Sequence, residues 1–94
     1  MFTLKLTNQF KKDVKTVKKR SPKNAELISD FLEKLQVNGV AEIDRNYNPH
    51  KLSGNYLNSW EAHLKPDLLI VWFEMIEDKE IILLRLGSHA DCFK

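Results

Sequence analysis

The residues able to do chemistry in this 94-residue chain are concentrated in its second half. All three histidines, His50, His63 and His89, lie beyond position 49. His89 falls within Arg85-Leu86-Gly87-Ser88-His89-Ala90-Asp91-Cys92-Phe93. Histidine gives and takes protons near neutrality. Arginine offers a planar fork of donors that matches phosphate oxygens. An arginine, a histidine and an aromatic gathered after an apolar run are unexpected at a chain terminus, which is commonly frayed and dispensable. Asp67 follows His63 closely enough to orient a histidine or to share a proton. If residues 80–89 are extended, Arg85, Gly87 and His89 share one face. The second half therefore reads as a site and the first half as its scaffold.

Phe2 to Leu6 alternates apolar and polar residues, which suits a short strand. Thr7 or Asn8 can cap a helix whose apolar positions are Phe10, Val14 and Val17. Ser21-Pro22 breaks it. A second helix carries Leu27, Ile28, Phe31, Leu32 and Leu35 on one stripe and stops at Asn38-Gly39. Residues 40–56 are polar and irregular, the pattern of a long loop. Three strands follow. Residues 58–64 place Trp60, Ala62 and Leu64 on one face and Glu61, His63 and Lys65 on the other. Lys65-Pro66-Asp67 turns the chain into the almost wholly apolar Leu68–Met75, which should be central and covered. Glu77-Asp78-Lys79 turns it again into Glu80–Leu86. The reading is an α+β domain over residues 1–94, with an N-terminal strand and a two-helix hairpin packed on an antiparallel β-meander.

Composition narrows the possibilities. The apolar content of 43% is ordinary for one globular domain, and no apolar run approaches the ~20 residues of a membrane span. Met1–Lys5 does not read as a signal peptide. A single cysteine, Cys92, excludes an internal disulfide and suits a cytoplasmic location. A nucleophilic role for this thiol is less natural than an incidental one. The net charge of +2 conceals a basic stripe: Lys11, Lys12, Lys15, Lys18, Lys19, Arg20 and Lys23 stand against one acid, Asp13. Such a stripe is either a solvated helix face or a surface that attracts polyanions.

Several blocks then resemble a known family in order and spacing. They are Pro49-His50-Lys51-Leu52-Ser53-Gly54, Trp60-Glu61-Ala62-His63-Leu64-Lys65-Pro66-Asp67, Leu68-Leu69-Ile70-Val71 and Leu84 through Phe93. Following a strand and two helices, they resemble the RelE-like toxins of bacterial toxin–antitoxin systems, and the YafQ branch among them. The resemblance implies the RelE-like microbial RNase fold and ribosome-dependent cleavage of messenger RNA in the ribosomal A site. It also implies inhibition of translation and restraint by a cognate antitoxin protein in a hetero-oligomer, with no cofactor and no membrane. His50, His63, Asp67, His89 and Phe93 match catalytic and substrate-binding positions, and Arg85 a phosphate-contacting one. Lys11, Lys15, Lys18, Lys51 and Lys65 are expected to meet RNA.

Metal-free RNA cleavage needs a base for the 2′-hydroxyl proton, an acid for the 5′-oxygen and a cation beside the reacting phosphate. The expected roles are His50 or His63 as base, His89 as acid and Arg85 on the phosphate, with Phe93 stacking a base. Where the family often carries a tryptophan after Asp67, this chain has Leu68. Duller accounts exist for each residue. His50 suits a surface loop and Asp67 a turn. Arg85 can pair with Glu61 or Glu74, Phe93 can pin the terminus, and Trp60 and Trp72 read as core. Two other functions are consistent with the residues: an inactive homologue that binds RNA or antitoxin without cleavage, and a metal hydrolase using His50, His63, Asp67 and His89. No HxH or HExxH spacing supports the second. Removal of residues 91–94 is expected to leave a folded but inactive domain.

Overall fold

The computed structural model describes residues 1–56 and 58–93. Strand β1 (Thr3–Leu6) leads into helix α1 (Asn8–Arg20), and a short break precedes α2 (Asn24–Asn38). Strands β2 (His50–Lys51), β3 (Trp60–Lys65), β4 (Leu68–Met75) and β5 (Glu80–Gly87) follow, and a single-turn helix α3 (His89–Cys92) ends the fold. The sheet order is β1-β5-β4-β3-β2. The β3-β4-β5 meander is antiparallel, as its short turns dictate, while β1 joins β5 in parallel. The α+β architecture with a two-helix hairpin on a meander is thus the observed one.

Local chemistry accounts for the element ends. The Thr7 hydroxyl oxygen accepts from the Phe10 amide as N-cap of α1, and the same hydroxyl donates to the Leu83 carbonyl at 2.8 Å. One residue therefore starts the helix and ties it to β5. Helix α2 stops at Gly39, whose φ of 62° and ψ of −147° lie in a region essentially restricted to glycine. A Cβ there would sit 2.8 Å from Glu74 Oε1. That carboxylate cannot readily withdraw, because it accepts from Val40 N at 2.7 Å and Trp72 Nε1 at 2.9 Å. Gly39→Ala is accordingly expected to lower stability by about 1–3 kcal/mol, from backbone strain and displacement of Glu74 together. Urea denaturation of the variant checks it.

Residues 40–56 are more ordered than their polarity suggests. They hold three short 3₁₀ turns (Gly39–Glu42, Arg45–Tyr47 and Gly54–Tyr56) and strand β2. Two-residue β2 was invisible because His-Lys carries no apolar alternation. It exists through its pairing with Trp60 and Glu61 on β3. His50 is thereby an edge-strand residue rather than a loop residue.

The helices cover one face of the sheet. Phe10 and Val17 of α1 and Ile28, Phe31 and Leu35 of α2 meet Ala62, Leu64, Ile70, Trp72, Ile81, Leu83 and Leu86 in the main core. Trp72 is fully buried, with its ring edge-on to Phe31, whereas Trp60 is half-buried at the core's margin under Lys51. Leu68 also belongs to this core at 5% exposure. A base-stacking role is thus closed to the position after Asp67. On the opposite face Leu69, Val71 and Cys92 form a small cluster beneath Leu52, Tyr56, Leu84 and Phe93. β4 is central and covered on both sides, as its composition requires.

Candidate active site

The face away from the helices carries the candidate chemistry, and the sheet register aligns it. His50 pairs with Glu61, Glu61 with Val71, and Val71 with Arg85, so these four residues form a row across β2, β3, β4 and β5. His63, Leu69 and Gly87 form the neighbouring row. With strands ~4.8 Å apart, the backbones of Glu61 and Arg85 are about 10 Å apart. Long side chains at the two ends can close on a single phosphodiester.

At one end Glu61 holds two histidines. Its Oε1 lies 3.2 Å from His50 Nε2 and 3.2 Å from His63 Nε2. The imidazole centroids are 6.3 Å apart. The Glu61 side chain is only 7% exposed, against 42% for His50 and 36% for His63. The carboxylate is therefore a buried anchor and the rings are presented to solvent. His50 Nδ1 is also 2.8 Å from the Asn48 carbonyl oxygen, so both of its nitrogens are engaged. His63 keeps Nδ1 without a partner among the described residues.

At the other end Arg85 is held from behind. Its Nε donates to Asp13 Oδ2 at 2.9 Å, with a looser Nη2 contact to Oδ1 at 3.5 Å. Asp13 also accepts from Leu86 N at 2.9 Å and from Gln9 Nε2 at 3.0 Å. The reason lies in topology. β1 pairs β5 only as far as Leu83, and from there α1 runs along the bare strand edge, with Asp13 receiving the amide that β1 leaves unpaired. The hydrogen bond to Asp13 raises the Arg85 pKa further above its ordinary value, against desolvation; the charge of Asp13 and a hydrogen bond to the Tyr56 side chain add to the rise. Arg85 is a permanent cation held by Asp13 through Nε and Nη2 and neighboured by Tyr56, and its remaining N–H groups can meet a ligand.

A β-bulge decides which way Arg85 faces. Leu83 pairs with Trp72 and Arg85 with Val71, which leaves Leu84 as an extra residue in β5. Were Leu84 paired regularly instead, Arg85 would continue the inward series Ile81, Leu83 and enter the core. With the bulge Leu84 and Arg85 both turn to the site face, and Leu86 takes the core position.

The expected extension of β5 to His89 does not hold. The strand ends at Gly87, and Ser88 caps α3 by a reciprocal capping box with Asp91. The shared face therefore covers Arg85 and Gly87 but not His89. His89 is exposed at the start of α3, with its ring 4.9 Å from that of Phe93. Phe93 in turn packs edge-on to Tyr56 at 5.6 Å. Nor does Asp67 orient His63: that carboxylate is Glu61. Asp67 is exposed at the β3–β4 turn and lines a cavity with Arg85. Arg85 pairs with neither Glu61 nor Glu74. Lys51 covers Trp60 at 5.5 Å, while Lys65 and the α1 residues Lys11, Lys15 and Lys18 are exposed and contact no histidine among the described residues. Also among the described residues, no group of three or more His, Cys, Asp or Glu is arranged to hold a metal ion.

Cys92 is 1% exposed, and burial pushes its thiol from 9.0 up to about 12; Arg85 acts in the opposite direction and Asp13 reinforces the rise. A nucleophilic role is closed to it. Its burial also revises the expectation for the terminus. Removing residues 91–94, of which Lys94 lies outside the described residues, would uncover Leu69 and Val71 and loosen the fold. A thiol reagent at pH 8 is expected to leave native protein unlabelled and to react fully once urea unfolds it. Because the folded thiol holds its proton more tightly, this contribution to stability is complete below pH 9 and is lost as pH rises towards 12.

A model of the YafQ family, described as the bacterial toxin of a type II toxin–antitoxin system, matches residues 2–94. The chain belongs to the YafQ toxin family. The mRNA interferase toxin YafQ of Escherichia coli strain K12 is 29% identical over 90 residues, covering 96% of this chain and 94% of that protein. A metal-bound toxin from Helicobacter pylori superposes with a TM-score of 0.86 at 31% identity, covering 99% of this chain and all of the other. The E. coli DinJ–YafQ complex gives 0.82 at 28%, covering both chains fully. Within this YafQ-family chain, two site residues escaped the sequence reading. Glu61 had a usable signal, since its parity places it beside His63. Asp13 had a weaker one, as the lone acid in a basic helix.

Proposed function

We propose that this toxin is an endoribonuclease that cuts messenger RNA in the ribosomal A site and so halts translation, without metal or other cofactor. The two histidines held by the buried Glu61 carboxylate, which itself shares a row with Arg85, carry this reading. RNA laid across the row puts its scissile phosphate on the remaining N–H groups of Arg85. His63, with Nδ1 free, takes the proton from the 2′-hydroxyl. The 2′-oxygen then bonds to phosphorus as the bond from phosphorus to the 5′-oxygen breaks. His89 supplies the proton to that oxygen. His50, held at both nitrogens, keeps Glu61 and His63 in place and adds positive charge when protonated. Phe93, stiffened by Tyr56 and His89, offers a face for an unpaired base. Asp67 acts on the substrate from the cavity beside Arg85.

Lys51, Lys65 and the exposed α1 residues Lys11, Lys15 and Lys18 attract the polyanion. Residues 1–94 act as one domain in the cytoplasm. No helix among the described residues is long and apolar enough to cross a membrane. An antitoxin protein restrains the toxin, by analogy with the DinJ–YafQ assembly. The test is induced expression with ribosome-bound message mapped for cuts. Growth arrest abolished by His50→Ala or His89→Ala supports the reading. Absence of cleavage at any codon sinks it and favours a homologue that only binds.

A further inference from the structure

A cavity of about 320 Å³ opens where the end of α1, the start of α2, the β3–β4 turn and the end of β5 meet. Arg20, Asn24, Asp67 and Arg85 are among its walls. Asn24 is 8% exposed, and its Oδ1 is the one buried side-chain oxygen or nitrogen without a hydrogen-bond partner among the described residues. A buried polar atom left in this way is destabilising, and folded proteins almost always satisfy it. Asp67 and Arg20 likewise have no partner among the described residues. Both oxygens of Asp13 are consumed by Arg85, Leu86 N and Gln9.

The unspent groups define what fits. The carboxylate of Asp67 can only accept, and the Asn24 amide can present its oxygen beside it, so the ligand must bring N–H donors. Arg20 and Arg85 call for negative charge and disfavour a lysine or arginine side chain. A nucleotide joins N–H donors to an anion in this way, and the volume is sufficient for one base. Arg85 belongs to both the catalytic face and this cavity. A strand with its phosphate on Arg85 therefore has an adjacent base within reach.

We propose that the cavity is a base-selecting subsite that takes a nucleobase with an exocyclic amino group, read by Asn24 and Asp67, while Arg20 meets a flanking phosphate. The assignment rests on the RNA-cleavage reading above and adds a source of sequence preference to it.

The test titrates the full chain with 5′-AMP and 5′-UMP and follows backbone amide shifts by NMR. Saturable shifts at Ser21, Asn24, Asp67 and Ser88 are expected with AMP, with UMP about tenfold weaker. Asn24→Leu is expected to weaken AMP about tenfold, since it removes the acceptor at similar volume. Exposed Asp67→Asn is a second variant that is safe for folding and is expected to reduce the preference for AMP. Equal shifts with both nucleotides, shifts confined to the α1 lysines, or a crystal soaked in AMP that shows only water on Asn24 would overturn the proposal. The cleavage reading is judged separately, from ribosome assays with unaltered protein. Base-selective AMP binding by a protein that cuts no message leaves the subsite standing and removes that reading.

Discussion

Replacing His63 with alanine is expected to lower ribosome-dependent cleavage by about 10²- to 10⁴-fold, the range contributed by a positioned general base. Its ring is about one-third exposed and makes one hydrogen bond, to Glu61, so the fold should survive. Glu61→Gln should lower the rate by a similar order, because an amide holds two imidazoles without compensating charge on either. The double variant should be little worse than the worse single one, since residues acting as a unit are strongly non-additive. Cleavage rates on a defined message, with circular dichroism to confirm folding, decide the matter. A His63→Ala protein that cuts at near-normal rate would transfer the base role to His50. Independent, multiplying losses would show that Glu61 does not bind the pair into one device.

The second large effect concerns Asp13. Asp13→Ala removes the partner of Arg85 and the acceptor of Leu86 N at once, leaving a cation and an amide without their native bonds. Breaking a fully buried pair costs about 3–5 kcal/mol, and Arg85 retains 22% side-chain exposure, so about 2–3 kcal/mol is the better expectation. In a domain of this size that corresponds to a fall in Tm of roughly 10–20 °C. Thermal unfolding measures it. Asp13→Asn should lose less, because an amide oxygen still caps Leu86. A shift within a degree or two for Asp13→Ala would mean that water replaces the carboxylate without loss.

Much of this architecture was legible because the signals were local. Thr7, Ser21-Pro22 and Gly39 punctuate the helices by their own backbone chemistry. The parity of Trp60, Ala62 and Leu64 against Glu61 and His63 told the two faces of β3 apart. The rest was not legible because it depends on partners distant in sequence. β2 exists only by pairing with β3, and Asp13 finds its role 72 residues away on Arg85. His89 was misplaced because strict alternation was carried past Gly87. Ser88 and Asp91 cap a helix turn instead, a motif of serine followed three residues later by an acid that local reading could have found. Grouping His50, His63, Arg85 and His89 rested on family resemblance. The register supports the first three as one face, and His89 reaches the neighbourhood through Phe93 and Tyr56.

The bulge at Leu84 gives β5 a change of phase. Its first half faces the helices at odd positions and its second half at even ones, so a single strand belongs to two layers in succession. Tolerance to substitution should therefore not alternate evenly along residues 80–87. Polar replacements should be rejected at 81 and 83, better tolerated at half-buried 84, and rejected again at 86. A deep substitution scan would record the beat missed between 83 and 86. Deleting Leu84 would instead let Arg85 follow Leu83 directly opposite Val71, leaving Arg85 outward and Leu86 inward in unbroken alternation, so the smallest possible shortening of this strand should be milder than a polar replacement at 83 or 86.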